Sequence, residues 1–170
     1  MTEITKTMDQ AVKAMGEKEG KYLTFSLAGE EYGISILKIK EIIGMMPITP
    51  VPRTPLYVKG VINLRGKVIP VVDLRLKFGM EEMGYTERTC IIVVEAGGQL
   101  GSVLIGIVVD SVSEVLSIRG SEIEEAPGFG VRLDMDYILG MAKINGGVKI
   151  LLDIDKVLGS ETLDVVREAA

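Results

Sequence analysis

Pairs of neighbouring acidic residues are the groups in this sequence best suited to acid–base chemistry. The pairs are Asp134 with Asp136, Asp153 with Asp155, and Glu124 with Glu125. Two close carboxylates can serve as general acid and base when their environments drive their pKa values apart. Acidic residues are also common at turns and helix caps, where they bind backbone amides. We interpret these pairs as structural, and an enzyme that uses a carboxylate stays open as an alternative.

The sequence lacks the residues on which most other catalytic sites depend. It has no histidine and one cysteine, Cys90, so a Ser-His-Asp or Cys-His arrangement, an intrachain disulfide and a C-x-x-C metal motif are all excluded. No glycine-rich segment continues into the Lys-Ser/Thr of a phosphate-binding loop. Cys90 opens an apolar run, 90–94, which predicts a buried side chain. We therefore expect no catalytic residue, no metal and no cofactor.

Charge and hydropathy limit the possible partners. The formal net charge of −5 opposes a general role in nucleic-acid binding, which requires clustered Lys and Arg. No apolar run reaches the length of a membrane span, and the first residues do not resemble a secretory signal. The sequence predicts a cytoplasmic protein without direct membrane insertion.

An internal repeat organises the chain. The stretch 57–79, YVKGVINLRGKVIPVVDLRLKFG, returns eighty positions later as 137–159, YILGMAKINGGVKILLDIDKVLG. A second repeat, offset by 73 positions, relates the segment around Gly33 to the segment around Gly106. Each copy reads as short β-strands rich in β-branched residues and joined by Gly-containing turns. Positions that match across the first repeat include Gly60 with Gly140, Gly66 with Gly146, and Asp73 with Asp153.

The repeat predicts two similar all-β halves, at about 21–88 and 89–159, each with four or five strands. Sets of strands this small rarely bury their apolar faces alone, so we expect two small barrels packed on a shared apolar core. Residues 1–20 predict a tail that is flexible or forms a short helix. A C-terminal helix is predicted for 160–170, with Ser160 as its N-cap.

Three motifs give the chain a family resemblance. They are FSLAGEEYGISILKIKEI (25–42), KGVINLRG (59–66) and PVVDLR (70–75). With them, residues of about 20–165 resemble the CheW-like domain family of bacterial chemotaxis coupling proteins. The resemblance implies two SH3-like five-stranded β-barrels, and an adaptor rather than an enzyme. Such an adaptor couples the cytoplasmic tips of methyl-accepting, transmembrane chemoreceptors to the regulatory domain of the CheA histidine kinase, at the membrane-associated array.

The resemblance also implies a receptor-binding groove between the barrels. The matching positions are Ile39, Glu41, Gly60, Asn63, Arg65 and Val115. Taken by themselves, Arg65 reads as a solvated turn residue, Ile39 as a core residue, and Gly60 as a backbone requirement. Two alternatives remain: a coupling domain of another sensory or motility array, and a small-molecule-binding β-barrel.

Overall fold

The computed structural model describes residues 18–98, 101–125 and 137–169. Its eleven described strands form two sheets. The strands are β1 (Gly20–Leu27), β2 (Glu30–Ser35), β3 (Ile39–Gly44), β4 (Val58–Leu64), β5 (Lys67–Asp73), β6 (Cys90–Gly98), β7 (Gly101–Val109), β8 (Ser111–Ile118), β9 (Ile123–Glu124), β10 (Ile138–Ile144) and β11 (Gly147–Leu152). The helices are η1 (Ile36–Lys38), α1 (Leu74–Lys77), η2 (Gly120–Glu122) and α2 (Ile154–Ala169).

The five-stranded sheet, in the order β3-β6-β7-β5-β4, forms barrel one. Its edge strands approach each other because the segment after β3 forms a bridge with β4, in which the Thr49 N–H donates to the Val61 carbonyl at 2.8 Å. The six-stranded sheet, in the order β8-β1-β2-β11-β10-β9, forms barrel two. Its edges, β8 and β9, are joined in sequence through η2. The predicted all-β fold of two packed barrels is confirmed.

The two sheets do not follow the predicted halves of the sequence. Hairpin β1–β2 belongs to the first repeat but lies in barrel two, and hairpin β6–β7 belongs to the second repeat but lies in barrel one. The exchange is made by parallel pairs, β2 with β11 and β5 with β7. A boundary near residue 88 therefore separates the repeats but not the sheets.

The largest apolar cluster lies between the barrels, as predicted. Strand β6 shows why, because alternate residues face alternate sides. Ile91 and Val93 pack inside barrel one, whereas Ile92 and Val94 pack in the shared core. Both faces of this strand are buried, which explains its continuous apolar run. Four stacked or tilted rings extend this core, with centroids 6.0–6.2 Å apart, in the order Phe25, Tyr32, Phe78 and Tyr137.

The C-terminal helix and Cys90 differ in detail from the predictions. A first helical segment begins at Ile154, where the Asp153 carboxylate accepts the Lys156 N–H at 3.3 Å, and the sequence did not predict it. Gly159, with φ 69° and ψ 166°, separates this segment from a second one, which corresponds to the helix predicted for 160–170. Cys90 is only half-buried, because it opens β6 opposite Gly44 at the end of an edge pair.

Candidate functional site

Arg65 lies at the tip of the β4–β5 hairpin, in a two-residue turn. Arg65 and Gly66 both have positive φ, 51° and 87°, as a type I′ turn requires. The Asn63 side chain fixes this turn, because its Oδ1 accepts the Gly66 N–H at 2.8 Å. The guanidinium is therefore presented by a rigid turn, and the Arg65 side chain remains 70% exposed.

Glu41 forms an ion pair with Arg65 between the two edge strands of barrel one. Glu41 lies on β3 and Arg65 follows β4, and these are the two edge strands of the same sheet. The curvature of the barrel thus brings together two residues that the resemblance implied. An exposed pair of this kind contributes little to stability, about 0–1 kcal/mol, so it can be exchanged for another partner at low cost.

Gly60 has a structural reason to be glycine. A Cβ atom at this position would lie 2.0 Å from the Thr49 carbonyl oxygen, and its φ is 140°. Gly140, its counterpart in the repeat, is also crowded, although less so, with Ile123 Cγ2 2.6 Å and Glu124 O 2.9 Å from the position of a Cβ. Each glycine therefore allows a neighbouring segment to approach closely: the segment at Thr49 approaches β4 in barrel one, and β9 approaches β10 in barrel two. This agrees with the backbone requirement expected from the repeat.

The remaining two predicted residues lie on edge strands of different sheets. Ile39 begins β3, is half-buried, and packs against the core between the barrels. Val115 lies on β8, the edge strand of barrel two, and is largely exposed opposite Leu23 of β1. Five of the six predicted residues thus belong to barrel one, whereas Val115 belongs to barrel two.

An exposed apolar strip around β3 was missed by the sequence reasoning. Leu37 is 90% exposed, and Ile36 and Ile42 are more than one-third exposed. The signal was available, because the run ISILKIKEII contains more apolar residues than one buried face of a short strand can accept. Large exposed apolar side chains, here on β3 and in the η1 turn before it, are common at protein-binding surfaces.

The acidic residues have the structural roles expected for most of them. Asp73 caps α1 by accepting the Arg75 N–H at 3.0 Å, and burial raises the pKa of its carboxyl. Asp155 pairs with Lys38, and Glu124 pairs with Lys143, both across inter-element contacts. Asp134 and Asp136 lie outside the described residues.

Arg75 of the PVVDLR motif forms the most enclosed ion pair of the described chain. Its Nε and Nη2 each lie 2.7 Å from a carboxylate oxygen of Asp110. This contact holds the pKa of Asp110 below its usual value. Asp110 also accepts the Ala28 N–H at 2.8 Å. The Arg75–Asp110 pair joins the end of β7 to helix α1, and Asp110 also contacts the β1–β2 hairpin. The role of Arg75 is therefore structural.

One surface depression, of about 500 Å³, is open and lined by Met45, Met46, Pro47, Ile48 and Tyr85. A small-molecule site would require convergent polar groups, which this lining does not supply. Across the described ranges, no three acidic or cysteine side chains converge to hold a metal. None of the helices described here has the length and apolar character needed to cross a bilayer.

Comparison with known proteins agrees with this geometry. The CheW-like domain model matches residues 21–162. The chain is 43% identical to a chemotaxis protein CheW of Klebsiella aerogenes over 93% of each chain, and 34% identical to one of Rhizobium meliloti over 96% of this chain and all of that one. The solved structure of a scaffolding protein, TtCheW of Thermoanaerobacter tengcongensis, superposes with a TM-score of 0.74 and 35% identity, over 85% of this chain and 95% of the other.

Two packed barrels with exposed edge strands and an open apolar surface define a binding module of the adaptor class. The matched residues and relatives identify it further, and the chain belongs to the CheW-like domain family. Its function is that of a chemotaxis coupling adaptor.

Proposed function

We propose that the chain couples transmembrane chemoreceptors to the CheA histidine kinase without catalysing a reaction. One surface binds the helical cytoplasmic tip of a methyl-accepting receptor, and another binds the regulatory domain of CheA. Receptor state then controls kinase autophosphorylation through the adaptor. On this proposal the protein works in the cytoplasm and joins the membrane only through the receptor array.

The exposed Glu41–Arg65 pair, together with the exposed side chains of Ile42 on β3 and Leu37 just before it, is the observation that supports the receptor half of the proposal. A helix docking in a groove presents apolar side chains at helical spacing. On this proposal the receptor helix also presents a carboxylate at the rim of the groove. The Arg65 guanidinium can form a fork with such a carboxylate, in place of Glu41. The displaced pair is exposed and weak, so the exchange costs little.

We divide the residues of the predicted receptor site into those that contact the partner and those that maintain the backbone conformation of the site. We assign partner contacts to Ile39, Glu41, Arg65 and Val115. Gly60 and Asn63 act indirectly, because Gly60 allows the barrel to close and Asn63 holds the turn. Ile42 and Leu37 join the contact set because their side chains are exposed on or beside β3.

The test is a calorimetric titration with a receptor tip fragment and with the CheA regulatory domain. We expect both to bind wild-type protein. Arg65→Glu should weaken tip binding at least tenfold, because it removes the guanidinium and places a carboxylate beside Glu41, and should leave CheA binding unchanged. Asn145→Glu is the matched control, since Asn145 occupies the equivalent turn of barrel two with φ 52°.

Asn145→Glu carries the larger backbone cost, because asparagine tolerates a positive φ better than arginine does. A loss of tip affinity in Arg65→Glu alone therefore reports on the surface and not on backbone strain. Equal tip affinity for Arg65→Glu and wild type, with both folded, would remove Arg65 from the site. Absence of binding to both partners by wild-type protein would contradict the coupling role itself.

A further inference from the structure

In the part of the chain that the structure describes, two segments cross between the barrels, and each is held by an ion pair. The first is η1, between β2 of barrel two and β3 of barrel one, where Lys38 Nζ lies 2.6 Å from Asp155 Oδ2. The second is Asp110, between β7 of barrel one and β8 of barrel two, which pairs with Arg75. Arg75 and Asp155 are each the second residue of the helix that follows the last long strand of a repeat.

One residue of each ion pair is related to the other by the internal repeat, and its charge is reversed. Arg75 and Asp155 lie eighty positions apart, which is the offset of the first repeat, whereas Lys38 and Asp110 lie 72 positions apart, one fewer than the offset of 73 in the second repeat. We call the Lys38–Asp155 pair the first clamp and the Arg75–Asp110 pair the second clamp. The first clamp has its cation on the crossover, and the second has its cation on the helix. Each carboxylate also accepts a hairpin N–H: Asp155 from Gly97 at 3.2 Å, and Asp110 from Ala28 at 2.8 Å.

The clamps differ in strength. Arg75 and Asp110 form two charge-assisted hydrogen bonds, and their side chains are 13% and 19% exposed. Lys38 and Asp155 share one short contact, and their side chains are 41% and 30% exposed. A bidentate, enclosed pair is stronger than a single pair open to solvent. The Lys38 clamp is therefore the one that can open without unfolding the protein.

The weaker clamp lies directly beside the proposed receptor surface. Lys38 stands between Leu37, whose side chain is exposed, and Ile39, which begins β3. We propose that Lys38 and Asp155 are positioning residues, which hold η1 and the start of β3 against helix α2 and thereby set the shape of the receptor-binding face. The part of this proposal that concerns affinity rests on the proposed function.

The chain supplies a matched control for this proposal. Lys40 Nζ lies 2.8 Å from Glu95 Oε2, and the two side chains are 55% and 38% exposed. Lys40 lies on β3, two residues after Lys38 of η1, and its pair joins β3 to β6 within barrel one. Loss of Lys40 removes the same charge close to Lys38 without releasing the crossover.

The first experiment measures hydrogen–deuterium exchange of the full-length protein without partners. In Lys38→Met and in Asp155→Asn, amides of η1 and the start of β3 should exchange about two- to fivefold faster than in wild type, since an exposed pair contributes roughly 0.5–1 kcal/mol to local opening. Lys38→Arg should restore the wild-type rate, and Lys40→Met should leave it unchanged. Wild-type rates in both clamp variants would overturn the proposal, whatever the binding results.

The second experiment measures affinity for the receptor tip fragment. Lys38→Met and Asp155→Asn should weaken binding by similar factors, about two- to tenfold, and the double variant should be no weaker than either alone. If Lys38→Met weakens binding and Asp155→Asn does not, Lys38 contacts the receptor directly, and the positioning role is overturned. Faster exchange in both variants with unaltered affinity would also overturn the positioning role. If wild-type protein binds no tip fragment, the proposed function fails. The exchange rates alone then show whether the Lys38–Asp155 pair holds η1 and the start of β3 in place.

Discussion

Two carboxylates beside α1 have pKa values shifted in opposite directions, so single residues here make opposite contributions to the pH dependence of folding. The hydrogen bonds from Arg75 lower the pKa of Asp110. The resulting stabilisation is fully present above the unfolded value of about 3.9 and is lost as the pH falls through the folded pKa. Burial raises the pKa of Asp73 in the folded protein. Its contribution to the free energy of unfolding is therefore fully present below the unfolded pKa and is lost as the pH rises through the folded pKa.

Substitution of Arg75 tests this assignment. Arg75→Met should lower the free energy of unfolding at pH 7 by about 2–3 kcal/mol, because it leaves the Asp110 carboxylate largely enclosed without its cation. The difference from wild type should shrink below pH 4 as Asp110 takes up a proton. Denaturant unfolding at pH 7 and pH 3 measures both quantities.

Asp73→Asn is the control for that experiment. An asparagine keeps the cap acceptor and removes the buried charge, so its free energy of unfolding at pH 7 should stay within about 1 kcal/mol of wild type. A similar loss in both variants would show that the helix start, rather than the Arg75–Asp110 pair, accounts for the effect.

Sequence alone predicted residues whose role is local and missed those whose role depends on distant partners. The turn at Arg65-Gly66 and its copy at Asn145-Gly146 were predictable, because a two-residue turn ending in Gly is a local signal. The Arg75–Asp110 pair was not, because it joins residues 35 positions apart through packing of a helix on a strand end. The Glu41–Arg65 contact depends in the same way on barrel curvature.

At the scale of elements, barrel closure depends on the approach of the 45–49 segment to β4. Gly60→Ala should lower the free energy of unfolding by about 3 kcal/mol or more, since the new Cβ would lie 2.0 Å from Thr49 O and something must shift. Thermal and denaturant unfolding measure the loss. The closing bridge between Thr49 and Val61 should also lose protection from exchange.

Gly66→Ala separates crowding from backbone strain. Gly66 has φ 87° but no atom within 4 Å of a new Cβ, so its substitution should cost only about 1 kcal/mol. Equal losses at Gly60 and Gly66 would mean that positive φ alone explains both glycines. If Gly60→Ala costs more than Gly66→Ala, a loss of receptor coupling in Gly60 variants reflects a change of barrel shape rather than a lost contact.

At the scale of the whole molecule, the exchange of hairpins makes each repeat depend on the other. The repeat itself could be read from sequence, as could the shared core. The parallel pairs β2–β11 and β5–β7 could not, because they join strands far apart in the chain and leave no periodic signal in either. The same pairs place the two crossovers, and their clamps, between the barrels.

Separate fragments therefore test the topology. Residues 18–88 contain the β1–β2 hairpin without β8 and β11, which flank it in the sheet, and residues 89–170 contain β6–β7 without β3 and β5. Neither fragment can bury its hairpin alone, so each should lack a cooperative thermal transition by circular dichroism. Mixed in equal amounts, they should regain dispersed amide resonances and one common transition. If 18–88 alone unfolds cooperatively as a monomer, its hairpin can fold back on its own repeat, and the exchanged pairing is not required for folding.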